Sequence, residues 1–99
     1  MTREDLIRMT EADSTRLGVA IEALMEWEHA REKHAPMRGP HEGYAVLLEE
    51  LDELWDLVKL NPRKAYPEAS EPNAVHRARM REEALQVAAM ALAFAEEVC

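Results

Sequence analysis

The segment from His41 to Lys59 carries apolar and acidic residues at spacings that repeat with a helical period of about 100° per residue. One stripe is apolar at the spacing typical of a helix face packed on a core, and it consists of Leu47, Leu48, Leu51, Leu54, Trp55 and Val58. A second face is polar and is formed by Glu49, Asp52, Asp56 and Lys59. The pattern predicts a helix over about residues 41–60, with the apolar stripe in the core.

Glu50 and Glu53 belong to neither face. They lie one turn apart and in line with Val46 and Leu57, so apolar residues bracket both carboxylates. Carboxylates inside an apolar stripe are costly unless a cation or hydrogen-bond donors meet them. The pattern therefore favours a cation site, and the alternative is an acidic amphipathic helix whose glutamates lie in water.

Apolar residues at helical spacing also predict a first helix over about residues 3–33. Thr2 and Asp5 resemble a capping box at its start. Asp13 and Ser14 interrupt the stripe, which leaves open one long helix or a short helix followed by a longer one. We expect Trp27 to lie in the core, and its alternative role is to stack on a planar ligand. The proline- and glycine-containing segment 35–40 ends this helix.

Residues 61–73 contain three prolines and little apolar content, which predicts a loop of a length that is often functional or mobile. Asn73 is the expected N-cap of a last helix over about residues 74–98. His41 and His76 stand at helix starts without partners at ligand spacing, so we interpret both as solvated end residues. His29 and His34 are similarly without partners in the pattern.

The last helix is charged at its start and apolar from Ala84 to Ala95, with Gln86 as the one exception. A helix that is hydrophobic on all sides must be buried on all sides, and one subunit with two or three other helices has too little surface to cover it. We therefore predict a homo-oligomer. Glu83 and Gln86 interrupt this surface on one face, in line with Met90, and so repeat the arrangement of Glu50 and Glu53.

The amino-acid composition limits the classes of protein to which this chain can belong. The chain has 99 residues, 47% hydrophobic and 32% charged, which predicts a single all-α domain over residues 1–99. A net charge of −8 argues against binding to nucleic acid. No apolar run is long enough to span a bilayer, no secretory signal is recognisable, and the single cysteine, Cys99, excludes an internal disulfide. These features predict a cytoplasmic protein without a membrane partner.

Two helices thus direct polar pairs toward an apolar interior. Glu50, Glu53 and Glu83 supply carboxylates, and Gln86 supplies an amide oxygen. Oxygen ligands on facing helices are how bundles bind hard cations. These protein oxygens fill only part of the coordination shell of a cation. Mg²⁺ suits such a site, because it keeps several waters and substrate phosphates complete its coordination shell. Mn²⁺ is the alternative. The sequence contains no P-loop, dinucleotide fingerprint or nucleophile–base pair.

The run Glu49-Glu50-Leu51-Asp52-Glu53, followed by Glu83-Ala84-Leu85-Gln86, resembles the E-E-x-x-E … E-x-x-D signature of the MazG-like all-α nucleoside triphosphate pyrophosphohydrolases. The resemblance covers about residues 27–98 and is closest to the small single-domain members of phages and bacteria. It implies a helical bundle completed by oligomerisation, as a homodimer or homotetramer. It also implies hydrolysis between the α and β phosphates, which gives a nucleoside monophosphate and pyrophosphate.

The resemblance implies roles for individual residues. Glu50, Glu53 and Glu83 would be Mg²⁺ ligands, Gln86 would occupy the fourth ligand position, and Glu49 would orient or activate the attacking water. The basic residues available to neutralise a triphosphate are Lys33, Arg38, Arg63, Lys64, Arg77, Arg79 and Arg81. No residue indicates which base or sugar is preferred.

Two features depart from the family pattern. Gln86 replaces the aspartate of the second pair, which removes one negative charge and should weaken Mg²⁺ binding or leave fewer metals in the site. The interval between Glu53 and Glu83 is at the long end of the family range, consistent with an inserted proline-bearing loop. The alternative function is therefore a catalytically weak or inactive helical oligomer that binds nucleotide or a protein partner.

Overall fold

The computed structural model describes Thr2 and residues 11–99, with residues 11–13 described by their backbone alone. Over this part the chain is all-α, with no strand and four helices: α1 (Glu11–Lys33), α2 (Pro40–Val58), α3 (Pro62–Ala65) and α4 (Pro72–Glu97). The all-α prediction is confirmed. The helix start predicted near residue 3 and the capping box at Thr2 and Asp5 lie outside the described residues.

Three of the prolines begin helices instead of only ending them. Pro40, Pro62 and Pro72 are the first residues of α2, α3 and α4. Proline suits this position because its missing N–H would have no partner in the first turn and its φ is already helical. The prediction that Asn73 caps the last helix is therefore wrong, and Glu71 is the N-cap.

The predicted loop over residues 61–73 is also corrected, because it contains the single turn α3. The Asn61 side chain caps this turn by accepting a hydrogen bond from the backbone N–H of Arg63 at 3.1 Å. In α1, the helix continues through Ser14 without a break. The alternative in which Ser14 starts a second helix is therefore wrong.

Helix α4 is the centre of the fold. Both α1 and α2 pack on it, and over the described residues they do not pack on each other. Helix α1 runs parallel to α4, because Glu22 contacts Arg81 and Arg31 contacts Glu96 further along both helices. No described helix is long and apolar enough to cross a membrane.

Helix α2 runs antiparallel to α4. Gly43, near the start of α2, lies against Phe94 near the end of α4, and Leu57 near the end of α2 contacts His76 near the start of α4. Gly43 and Leu57 are fourteen residues apart on α2. Residues at multiples of seven lie on one face of a helix, so both contacts are on the same face. Glu50 lies midway between them on the same face.

The stripe of α2 that we expected in the core is mostly exposed, and that prediction is wrong for the isolated chain. Half of the Leu51 surface and 58% of the Trp55 surface are accessible, and Leu48 and Val58 are exposed as well. The face that packs on α4 is instead the one that carries Glu50. It consists of Gly43, Val46, Leu47, Glu50, Leu54 and Leu57, all buried or half-buried.

The core within one chain is small. The buried apolar residues in the described part are Ala23, Met37, Leu85, Ala89 and Ala93, and no large side chain is fully buried. The radius of gyration is 16.4 Å, whereas a compact domain of this length has about 13 Å. The chain therefore leaves extensive apolar surface uncovered.

The close approach of α2 and α4 depends on Gly43. A Cβ at this position would lie 2.5 Å and 2.8 Å from two ring carbons of Phe94 and 3.2 Å from Met37 Sδ. Overpacking of this kind lowers the free energy of unfolding by about 1–3 kcal/mol. The higher helix propensity of alanine raises it by only about 1 kcal/mol. We expect Gly43→Ala to lower the free energy of unfolding by up to about 2 kcal/mol in urea denaturation.

Gly18 provides the matched control. A Cβ at Gly18 would have no neighbour within 4 Å, so only the backbone effect remains. We expect Gly18→Ala to raise the free energy of unfolding by about 0.5–1 kcal/mol. Equal effects of the two substitutions would contradict the close α2–α4 contact.

Candidate metal centre

Three carboxylates converge where α2 faces α4. Glu50 and Glu53 lie one turn apart on α2, and the antiparallel packing places Glu83 of α4 opposite them. One carboxylate oxygen from each residue lies within 4.8 Å of the others. Glu50 and Glu83 are half-buried, and Glu53 is exposed. The predicted grouping of these three residues is therefore present in the structure.

Glu83 has the most perturbed environment of the three. Burial raises its pKa from 4.5 to about 8, and hydrogen bonding and repulsion from Glu50, then from Glu53, act in the same direction. Its Oε1 atom is buried and has no hydrogen-bond partner. Without a cation, the burial of Glu83 and the neighbouring carboxylates thus favour its protonated form.

The donor set fits a hard divalent cation. All the candidate atoms are oxygens, and Mg²⁺ binds oxygens at 2.0–2.1 Å with near-octahedral geometry. Neighbouring and opposite ligands of Mg²⁺ are about 3–4 Å apart, so small side-chain rotations from the observed spacing would complete the contact. The exposed side of Glu53 leaves room for water or substrate oxygens.

Gln86 lies beside this cluster and has a partner that the sequence pattern did not indicate. Its Nε2 donates to Glu26 Oε2 of α1 at 2.6 Å. This hydrogen bond orients the amide and leaves Oε1 as the atom available to a cation. Glu26 was missed because nothing in the spacing along α1 relates it to residue 86, sixty positions away.

A cleft of about 370 Å³ opens beside the carboxylates, between α1 and α2 and over α4. Glu49, Glu50 and Gln86 line one side. Glu49 is exposed, as its place on the polar face predicts. Trp27 and Arg31 of α1 line the other side. The cleft thus joins an acidic wall to an aromatic and cationic wall.

The basic residues predicted to contact phosphate do not line this cleft. Five of the seven candidates are Lys33, Arg38, Arg63, Lys64 and Arg79, and each of these is exposed on the surface. Arg38 pairs with Glu42 at 2.7 Å, and the Arg79 guanidinium lies 5.2 Å from the centre of the Tyr66 ring. A role for them in phosphate binding stays a prediction.

Arg31 is the arginine that lines the cleft, and the sequence analysis missed it. Its guanidinium lies 5.4 Å from the centre of the Trp27 ring. It also pairs with Glu28 at 3.3 Å and with Glu96 at 3.7 Å. The spacing of four residues between Trp27 and Arg31 is the signal that would have linked them, because such residues are neighbours on a helix.

Trp27 was expected in the core, and it is half-buried at the cleft. Its indole Nε1 is buried without a hydrogen-bond partner. A buried indole N–H normally has an acceptor, so this atom is available to a ligand. The core prediction is correct for part of the ring only.

The interpretation of His76 as a solvated end residue is wrong. His76 is buried, and its Nε2 donates to the backbone oxygen of Leu57 at 2.6 Å. His41, His29 and His34 are exposed, as expected for residues outside a metal site. The sequence pattern did not anticipate His76 because its acceptor is a backbone atom of another helix.

Comparisons with protein-family models, with curated proteins and with solved structures find no match to this chain. The resemblance to the MazG-like family therefore depends on the motif residues alone.

Proposed function

We propose that this protein is a Mg²⁺-dependent nucleoside triphosphate pyrophosphohydrolase of the MazG-like all-α type. It would cleave the bond between the α and β phosphates and release a nucleoside monophosphate and pyrophosphate. The observation that carries the proposal is the meeting of Glu50, Glu53 and Glu83, with a buried and unpartnered Glu83 oxygen. The adjoining cleft falls within the usual size of small-molecule sites.

The residues of the cluster have distinct tasks in this proposal. Glu50, Glu53 and Glu83 hold the cation, and Gln86 offers its Oε1 beside them. When bound, the cation polarises phosphate oxygens and lowers the pKa of coordinated water. Glu49, exposed at the rim of the cleft, is placed to orient a water molecule.

The opposite wall of the cleft offers contacts for the rest of a nucleotide. Arg31 supplies a positive charge that can move from its exposed ion pairs to a phosphate, because surface pairs of this kind are weak. Trp27 supplies an aromatic surface and a free N–H donor. In this proposal, the phosphates lie between the acidic cluster and α1.

The experiment that tests the proposal is pyrophosphate release from a panel of ribo- and deoxynucleoside triphosphates with Mg²⁺ or Mn²⁺. We expect equal amounts of nucleoside monophosphate and pyrophosphate, with no release in the presence of a chelator. Orthophosphate with nucleoside diphosphate as the products would contradict cleavage at the α–β bond. No turnover of any nucleotide by a folded protein would contradict an enzymatic role.

Glu49→Gln separates catalysis from cation binding. Glu49 lies outside the three-carboxylate group, so the substitution should leave stabilisation by Mg²⁺ unchanged. General-base assistance contributes about 10²–10⁴-fold to a rate, and we expect kcat to fall within that range. An unchanged kcat, measured by pyrophosphate release, would remove Glu49 from the catalytic set.

The hydrogen bond from Gln86 to Glu26 favours a second candidate, a catalytically weak oligomer that binds nucleotide. This bond ties the fourth ligand position to α1, and the glutamine itself leaves that position one negative charge short of the family pattern. Gln86→Asp discriminates between the candidates. Turnover that appears only in this variant would support the second candidate, whereas an active wild-type protein would exclude it.

The predicted homo-oligomer has a structural basis in two uncovered apolar surfaces. The first is the exposed apolar surface of α2, and it consists of Tyr44, Leu48, Leu51, Trp55 and Val58. The second is a groove of about 770 Å³ between α1 and α4, formed mainly by Val19, Leu24, Leu85, Ala88 and Leu92. Large exposed apolar patches are typical of interaction sites, and a second copy of this chain is the proposed partner.

Substitution of one residue on each surface tests this assembly. We expect Leu51→Glu or Leu92→Glu to give smaller species, or insoluble protein, in sedimentation and light scattering, because a carboxylate in an apolar interface is costly. Asp52→Asn, next to Leu51 on the polar face, is the control and should leave the assembly unchanged. A monomeric wild-type protein at micromolar concentration would contradict the prediction.

A further inference from the structure

His76 joins the two helices that carry the carboxylate cluster. It is the one buried polar residue in the described part of the chain. Its Nε2 donates to the backbone oxygen of Leu57, near the end of α2, at 2.6 Å. The bond therefore links the backbone of α2 to a side chain of α4.

This hydrogen bond lies in the layer next to the carboxylates. Leu57 follows Glu50 by seven residues, and His76 precedes Glu83 by seven residues. Because α2 and α4 are antiparallel, the step from Glu50 to Leu57 on α2 and the step from Glu83 back to His76 on α4 run in the same direction along the bundle. Two helical turns correspond to about 10.5 Å. The His76–Leu57 contact therefore fixes the register of the two helices about two turns from the cluster.

The acceptor lies in the last turn of α2. Carbonyl groups there lack the usual partner four residues further along the helix, and the backbone N–H groups of Lys59 and Leu60 are directed at the Leu57 oxygen instead. His76 adds a donor from another helix to this oxygen. The bond is also partly sheltered from water, because the Tyr66 ring lies beside His76, with 6.3 Å between the ring centres and 44° between the ring planes.

The segment around α3 provides this shelter. It packs on α4, and Arg79 lies over the Tyr66 ring at 5.2 Å. A hydrogen bond shielded from water is stronger than an exposed one. The proline-bearing insertion between α2 and α4 thus has a structural role, which is to enclose the bond between them.

The carboxylates need such a restraint. When Glu50, Glu53 and Glu83 are all ionised, they repel one another and favour separation of α2 from α4, whereas a bound cation requires their oxygens about 3–4 Å apart. We propose that His76 is a positioning residue, which holds α2 against α4 so that the three carboxylates stay at cation-binding distance. It touches neither the cation nor the substrate. This role rests on the proposed function of the cluster.

The test compares His76→Leu, which lacks the donor, with His76→Gln, whose amide can donate to the same oxygen. The measurement is the Mg²⁺ concentration that gives half-maximal thermal stabilisation of the full chain. Loss of a residue that orients metal ligands typically weakens metal affinity by about 10–100-fold. We expect His76→Leu to raise the Mg²⁺ midpoint by about tenfold and His76→Gln to restore most of the affinity.

Leu85→Val is the control for a merely structural effect, because Leu85 is buried on α4 at the α1 side. It should lower the melting temperature and leave the Mg²⁺ midpoint unchanged. A Mg²⁺ midpoint in His76→Leu that equals the wild-type value would overturn the proposal. So would a His76→Gln protein that binds Mg²⁺ as weakly as His76→Leu.

A second measurement separates this proposal from the proposed function. In the metal-free protein at about pH 9, above the pKa of about 8 at which Glu83 ionises, a double-mutant cycle combines His76→Leu with Glu83→Gln in urea denaturation. Non-additive effects are expected, because the tether matters most when the carboxylates repel. Coupling without any Mg²⁺ response would contradict the proposed function and leave the positioning role standing, whereas additive effects would overturn the positioning role.

Discussion

Glu50→Gln and Glu53→Gln are each expected to lower kcat/KM for pyrophosphate release by at least about a hundredfold. Each substitution replaces a carboxylate that is proposed to bind the cation with a neutral amide of the same size. Loss of a residue that only orients a metal ligand already costs about 10–100-fold, and loss of the ligand itself should cost more. The same variants should lose the rise in melting temperature that Mg²⁺ causes in the wild-type protein.

Asp52→Asn is the control for this experiment. Asp52 lies between the two ligands in sequence, but it is exposed and outside the three-carboxylate group. The substitution removes one negative charge from the same helix and should leave kcat/KM close to the wild-type value. Equal losses in Asp52→Asn and Glu53→Gln would show that the effect comes from the charge of α2 as a whole and would contradict a specific metal site.

The stability of the metal-free protein is expected to fall as the pH rises from about 5 to about 9. The pKa of Glu83 is raised to about 8 in the folded chain, chiefly by burial and then by Glu50. In the unfolded chain this carboxyl releases its proton near pH 4.5. The folded state therefore holds the extra proton between these values, so the stabilisation is complete at lower pH and is lost as the pH passes through about 8.

Mg²⁺ should act in the opposite direction, because it replaces that proton. Binding that releases one proton becomes tighter by about tenfold per pH unit below the pKa of the group. We therefore expect the rise in melting temperature with Mg²⁺ to be much larger near about pH 8 than near about pH 6. Thermal denaturation at several pH values, with and without Mg²⁺, measures both effects.

Glu83→Gln and Glu82→Gln form the matched pair for this prediction. The first mimics the protonated carboxyl, so it should remove the pH dependence assigned to Glu83 together with the Mg²⁺ effect. The second changes the exposed neighbouring glutamate and should behave as the wild type does. A Glu83→Gln protein that keeps the wild-type response to pH and Mg²⁺ would show that Glu83 is not the group responsible.

Much of the candidate site follows from local spacing. Residues three, four and seven positions apart share a face of a helix whatever the helix packs on. The pairing of Glu50 with Glu53, and the placement of Val46 and Leu57 in line with them, could therefore be predicted from the sequence. The same reasoning identified Glu83 as the carboxylate that faces them from the last helix.

The tertiary structure decided which face of α2 is buried. Periodicity indicates one apolar stripe on α2, which includes Leu51 and Trp55 and was expected in the core, and a separate line on which Val46 and Leu57 bracket the two glutamates. The chain packs the other face, because Gly43 lets α2 approach Phe94 closely. A choice of this kind depends on the shape of a partner helix about fifty residues away, which the pattern within one helix does not contain.

The sequence by itself determined the three long helices, the acidic character of the chain and the residues able to form a cation site. The tertiary structure alone decided the contacts between distant residues: Gln86 with Glu26, Trp27 with the cleft, and His76 with the backbone of Leu57. Helical periodicity is set by neighbouring residues, whereas burial and hydrogen bonding between helices depend on how whole surfaces fit. For that reason His76, interpreted from sequence as a solvated end residue, proved to be a buried link between the two helices of the site.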